Sequence, residues 1–122
     1  MTINEVMAVF SQRCHSVMSE DEQIRALSEL DGRIKVEIID THEGFEAVAF
    51  EPFGSDVDRS RVLLVPSPYD GLYIDWLFVR EALLRDEIER YNNALYIFKE
   101  ALGEYARYYN RTHMPKAPCV KY

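Results

Sequence analysis

Residues 70–114 read DGLYIDWLFVREALLRDEIERYNNALYIFKEALGEYARYYNRTHM and decide the fold. The stretch holds no proline, and Pro115 follows it. Its second half carries Ile88, Tyr91, Leu95, Phe98, Leu102, Tyr105 and Tyr109 at alternating steps of three and four. That spacing sets all seven on one face of an α-helix. The first half carries Leu72, Tyr73, Trp76, Leu77, Leu83 and Leu84, again at helical spacing. A helical hairpin is predicted, locked by Trp76 against Tyr91, Leu95, Phe98, Leu102, Tyr105 and Tyr109. Asp70 is placed as the N-cap of the first arm, which should run to Arg85. Asp86-Glu87-Ile88-Glu89 reads as a fresh helix start with acids in its first turn. A break there lets Trp76 reach the seam of the last helix; the alternative is one continuous rod. After Tyr109, Asn110 through Pro115 ends the helix.

Working outward, Thr2-Ile3-Asn4-Glu5 fits a capping box, and a first helix is predicted over residues 3–17. Ser19-Glu20-Asp21-Glu22 repeats the signature. Ile24, Leu27, Leu30, Ile34 and Ile38 continue it, so the second helix could reach Ile39. Ile34, Val36 and Ile38 also alternate, which offers a strand over Arg33–Ile39. The unbroken apolar pairs across Gly32 favour the helix. Between Asp40 and Arg61 two glycines, Pro52 and six acids break any helical stripe, and a loop or β-hairpin arm is expected. Val62-Leu63-Leu64-Val65 predicts a short extended segment on the core, and Pro66-Ser67-Pro68 an extended lead into the hairpin. The expected architecture is mainly α: one helical domain over 1–110 with a small extended or β arm at 40–65, then an extended tail over 111–122.

A chain of 122 residues with 48% hydrophobic and 29% charged residues has the profile of one soluble globular domain. No apolar run approaches the roughly 20 residues that cross a bilayer. MTINEVMAVFSQR lacks a basic lead, so no secretory signal is expected. Cys14 and Cys119 read as two separate thiols. Net charge is −7, yet from Arg107 onward four basic residues meet no acid. The remainder is acidic, a poor surface for phosphate, and sequence-specific nucleic-acid binding is not expected.

Chemistry-bearing groups are few. Asp40-Thr41-His42-Glu43 sets a histidine among acids, but no HExxH, paired cysteines or calcium-loop pattern supports a metal. His15 beside Cys14 offers a Cys–His couple, although neighbouring helical residues point about 100° apart. His113 suits a helix C-terminus. No glycine-rich phosphate loop and no GxSxG elbow occurs, and the carboxylates read as solvated charge. Tyr73, Tyr91, Tyr96, Tyr105 and Tyr109 fall on or beside helical seams, where packing explains them better than base stacking. No catalytic residue, cofactor or metal is predicted. Within the tail, Arg111, Met114, Lys116, Val120, Lys121 and Tyr122 combine stiffness, positive charge and apolar tips; it is either disordered or docked on something acidic.

The runs LLVPSPYDGLYIDWL and RYNNALYIFKEALGEYARYYNRTHMPK, with IRALSELDGRIKVEIIDTHEG, resemble small prophage proteins encoded among the head and tail morphogenesis genes of tailed phages. The plan also looks like phage head–tail connector (adaptor) proteins. That resemblance implies wedge-like helical subunits that close into a ring under the portal. It implies an arm, here Asp40–Arg61, and a tail, here Arg111–Tyr122, that contact neighbouring copies and the portal. It implies a non-enzymatic assembly role, in the bacterial cytoplasm during assembly and in the virion afterwards. A small helical protein-binding adaptor or regulatory protein of a prophage is the other possibility.

Overall fold

Two of the helix starts lie where side chains dictate them. Thr2 Oγ1 accepts from Glu5 N–H at 3.2 Å, and the Glu5 carboxylate accepts from Thr2 N–H at 2.8 Å. Ser19 and Glu22 repeat the exchange, each contact at 3.2 Å. Each box satisfies two of the four backbone donors that a helix start leaves open. The computed structural model describes residues 1–39 and 51–113. Its helices are α1 (Ile3–Arg13), α2 (Glu20–Glu37), α3 (Leu72–Leu84) and α4 (Ile88–Thr112). The protein is mainly helical, and α3 and α4 pack as a hairpin-like pair. Residues 33–37 are helical, as the pairs across Gly32 require.

Helix α1 stops at Arg13, short of the expected residue 17, and Cys14 turns extended at φ −150°. The cause is tertiary. Glu81 of α3 takes Ser16 Oγ at 2.5 Å and Val17 N–H at 2.9 Å, so those donors serve another element. Asp70 is not an N-cap either: helix α3 starts after Gly71 with no side-chain cap. The Asp70 carboxylate lies 3.3 Å from the Met1 amine.

The break between α3 and α4 falls at Asp86, which adopts φ 57°. Asp86 N–H donates to Leu83 C=O at 3.2 Å and Glu87 N–H to Ala82 C=O at 3.1 Å. These two bonds form a Schellman closure, with Asp in the left-handed position that glycine usually fills. The corner turns the chain back, and Trp76 meets Phe98 with ring centroids 5.0 Å apart. Trp76 Nε1 donates to Ala26 C=O at 3.0 Å, tying the hairpin to α2.

Ile3, Val6 and Phe10 of α1, Ile24, Leu27, Leu30 and Ile34 of α2, and Leu72, Tyr73 and Leu77 of α3 form the buried centre. Phe98, Tyr105 and Tyr109 of α4 close it. Each fully buried side chain of this size contributes about 1.5–3 kcal/mol. The seam departs from expectation at its start. Ile88 is 70% exposed, while Tyr91, Leu95 and Leu102 are only half-buried. Leu83, Leu84 and Tyr96, expected to pack, are exposed as well. Leu83 and Leu84 line a small groove beside Met18, Glu22 and Ala26 and do not reach the buried centre.

Residues 40–50 of the predicted arm lie outside the described residues. Residues 51–61 carry turns and no strand, and they lie against the body. Asn4 N–H donates to Arg59 C=O at 2.9 Å, and Ile3 N–H to Arg61 C=O at 3.1 Å. Phe53 is buried, with its N–H on Ser28 Oγ at 2.9 Å and the Arg61 guanidinium 4.6 Å above its ring. The segment 62–65 lies on the core as predicted, with Leu63 and Val65 buried and one antiparallel bridge joining Thr2 and Val62, but it bends at Leu64 and Val65 and does not continue extended. Pro66 to Tyr69 turns rather than extends: Tyr69 N–H reaches Pro66 C=O at 3.0 Å. The restriction on residues before proline excludes helix, but it leaves room for a turn. At the other end, α4 runs to Thr112, so Arg111 is helical and exposed rather than part of an extended tail. Met114, Lys116, Val120, Lys121 and Tyr122 lie outside the described residues.

Candidate functional site

Two polar centres and one cleft stand out. The first centre is buried under the segment 62–65. Asp31 and Tyr73 are 2% and 0% exposed. Tyr73 Oη donates to Asp31 Oδ1 at 2.5 Å and accepts from Val65 N–H at 2.8 Å. Leu64 N–H donates to Asp31 Oδ2 at 3.2 Å. Burial pushes the Asp31 carboxyl up to about 6, against the pull of the Tyr73 and Leu64 bonds. Burial and the neighbouring carboxylate push the Tyr73 phenol upward too. Every oxygen here is engaged by the protein itself, so the centre fastens the 62–65 segment to α2 and α3. It offers no opening for a reactant.

The second centre is Glu81, only 3% exposed. Burial works to raise its pKa, but donors from Ser16, Val17 and Arg85 outweigh this and hold it below the ordinary carboxylate value. Arg85 Nε donates to it at 2.6 Å, and Arg85 Nη2 donates to the His15 carbonyl. This ion pair clamps the end of α1 to α3.

Beside the clamp opens a cleft of about 630 Å³ between the end of α1, α3 and the first half of α4. Its walls carry Phe78, Ala82, Ala94 and Ile97, and its charged groups include Arg13, Asp75, Glu87 and Arg90. A volume between about 300 and 1,000 Å³ is the range in which small-molecule sites fall. Cys14 and His15 both line it. Burial, then the Glu81 charge, pushes the Cys14 thiol up, so it is held as the thiol and not as the nucleophilic thiolate. The Cys–His couple therefore lacks its activated member. A second, shallower groove of about 310 Å³ runs between α2 and α4 past Leu30, Ile34, Leu102 and Ala106, which is why Leu102 is only half-buried.

No family model, curated protein or solved structure matches this chain. What the side chains do must therefore be read from their geometry.

Among the described residues no group of three or more His, Cys, Asp or Glu could hold a metal. Asp40 to Glu43, the histidine-bearing loop, lies outside them. His113 stacks on Tyr109 at 3.9 Å and 13°, capping the last turn of α4 as its position suggested. Trp76 meets Phe98 at 5.0 Å, and in a separate cluster Tyr105 meets Tyr109 at 5.9 Å while Tyr69 stacks on Tyr108 at 4.8 Å. No helix among the described residues is long and apolar enough to cross a membrane.

Two buried acids escaped the sequence reading, which treated all carboxylates as solvated. The signal was present. Asp31 stands four residues after Leu27 and seven after Ile24, inside the apolar stripe of α2. Glu81 stands four after Leu77, inside that of α3. An acid at a core register position is buried with partners or not at all.

Proposed function

We propose that this chain is a non-enzymatic assembly protein of a tailed phage, a connector-type subunit that docks on neighbouring copies and on the portal. The observation that carries it is the unpartnered corner of the helical hairpin. Helix α4 has 25 residues, about 37 Å of length, yet only Phe98, Tyr105 and Tyr109 on it are buried. Along the two arms of the hairpin Leu83, Leu84, Ile88, Tyr96 and Ile97 all stand more than half exposed. Large apolar side chains left exposed near a helix corner offer contacts to other proteins. The sequence resemblance supplies the kind of partner. The acidic balance suits a ring around exiting DNA, because a like-charged lining lets the duplex slide without sticking. Head-to-tail contacts between copies close into a ring when the rotation allows it.

Size-exclusion chromatography with light scattering, on the protein alone and mixed with the cognate portal, tests this. A complex with the portal is expected. Absence of binding at high protein concentration would refute it, whereas a monomer alone would not, since assembly subunits often polymerise only on a template. A prophage-borne adaptor that binds through the hairpin face is the second reading, favoured by the same exposed corner. Removing residues 114–122, beyond the end of α4, separates them. Loss of portal binding favours the connector, and retained partner binding through the hairpin favours the adaptor.

A further inference from the structure

Two partly buried carboxylates of the cleft at the end of α1, Asp75 and Glu87, have acceptor oxygens that no donor among the described residues reaches. Asp75 on α3 is half-buried and faces it, and among the described residues nothing donates to its carboxylate. Burial pushes its pKa up, and the weaker opposing pull comes from Arg13, which forms no ion pair within 4 Å. Glu87 adds a second acceptor. Its Oε1 is buried without a hydrogen bond, and Arg90 Nη1 stands off at 3.7 Å. The other buried charge on the wall is spoken for, since Glu81 and Arg85 engage each other and the chain at Ser16, Val17 and His15. The cleft's unengaged cations, Arg13 and Arg90, are exposed to water, whereas its unengaged acceptors, Asp75 and Glu87, are partly buried. Between the charges lies an apolar wall of Phe78, Ala82, Ala94 and Ile97.

We propose that this cleft binds a small organic ammonium compound, an apolar body with one cationic head, seated with the head on Asp75 and the body on Phe78, Ala94 and Ile97. An ammonium brings three donors and no acceptor, a match for the partly buried Asp75 and Glu87 carboxylates. A flat or chain-like apolar body covers side chains that now face water. Arg90, with its side chain 76% exposed, and Arg13 on the rim are free to turn outward when a cation enters. The assembly role proposed above neither requires nor excludes such a ligand.

The test uses tryptamine as the probe and indole-3-propionate as its anionic counterpart, followed by amide and methyl chemical shifts of the full chain at neutral pH. Tryptamine at millimolar concentration is expected to shift resonances of Phe78, Ala82, Ala94 and Ile97, with indole-3-propionate leaving them in place. Asp75→Asn should weaken tryptamine about tenfold, the equivalent of one charge-assisted hydrogen bond of about 1.4 kcal/mol. Ile97→Lys, at an exposed position that folding does not depend on, should abolish binding by placing a cation in the cleft. Unmoved cleft resonances with tryptamine, equal binding of the anionic probe, or unchanged affinity in both variants would each overturn the proposal.

Discussion

Replacing Tyr73 by Phe removes one oxygen and disturbs nothing else in shape. That oxygen serves two partners, donating to Asp31 Oδ1 at 2.5 Å and accepting from Val65 N–H at 2.8 Å. Tyr73 and Val65 are both 0% exposed, so water cannot take its place without opening the core. Each buried group left without a partner costs about 1–3 kcal/mol. The Val65 amide has no way to adapt and bears that cost in full. Asp31 retains the Leu64 N–H at 3.2 Å and can take up a proton, which softens its share. The expected loss is about 3 kcal/mol at neutral pH. For a chain of this length 1 kcal/mol moves the melting temperature by about 4 °C, so the midpoint should fall by about 12 °C. Urea unfolding followed by circular dichroism gives the free energy directly. A loss below about 1 kcal/mol with an unchanged m value would refute the view that this hydroxyl is the dry junction between α2, α3 and the 62–65 segment.

Asp31 should also make stability depend on pH. Its folded pKa of about 6 lies above the ordinary 3.8, so between these values the folded state binds more protons than the unfolded one. Stability therefore rises as pH falls from about 7 to about 4, by at most about 3 kcal/mol; Asp31→Asn should flatten that slope, and a slope unchanged in this variant would count against the assignment. Glu81 acts in the opposite sense, because its folded pKa lies below the ordinary value and its contribution fades as pH drops below about 4.5. Glu81→Ala should cost about 2–4 kcal/mol by thermal melt, since it strips Val17 and Ser16 of their acceptor and leaves Arg85 without its partner. Gly103→Ala should stabilise by about 0.5–1 kcal/mol, because a methyl group there meets only the Arg107 guanidinium at 3.4 Å and the site is mid-helix. A lowered melting midpoint for this variant would mean that the α2–α4 groove is tighter than its open space implies.

Local chemistry was legible in the sequence wherever the deciding partners lie within a few residues of one another. The boxes at Thr2 and Ser19 and the helical continuation across Gly32 belong to this class, whereas Asp86 left a break and a continuous rod both open and does not cap α4, which starts after Glu87 with no side-chain cap. The Trp76–Phe98 contact could be read too, because a hairpin with a fixed corner brings those registers together. What could not be read depended on distant partners. Helix α1 yields its last turn to a carboxylate 65 positions away, and Asp70 gives up its capping role for the amine of Met1. The periodic stripe of α4 says which residues share a face, not how much of that face finds a partner. Ile88 keeps the register and is nonetheless exposed, as is Tyr96 beside the seam. For the cleft, Asp75, Phe78 and Ile97 come from two helices joined by a corner whose angle no spacing rule supplies.

That corner has a mechanical meaning. Asp86 at φ 57° brings its own amide and that of Glu87 onto the last open carbonyls of α3, those of Leu83 and Ala82. Opening the angle between the two helices would break both bonds, so the hinge of the hairpin is tied to the end of α3. Glycine at this point would relieve the positive φ, and a β-branched residue would strain it.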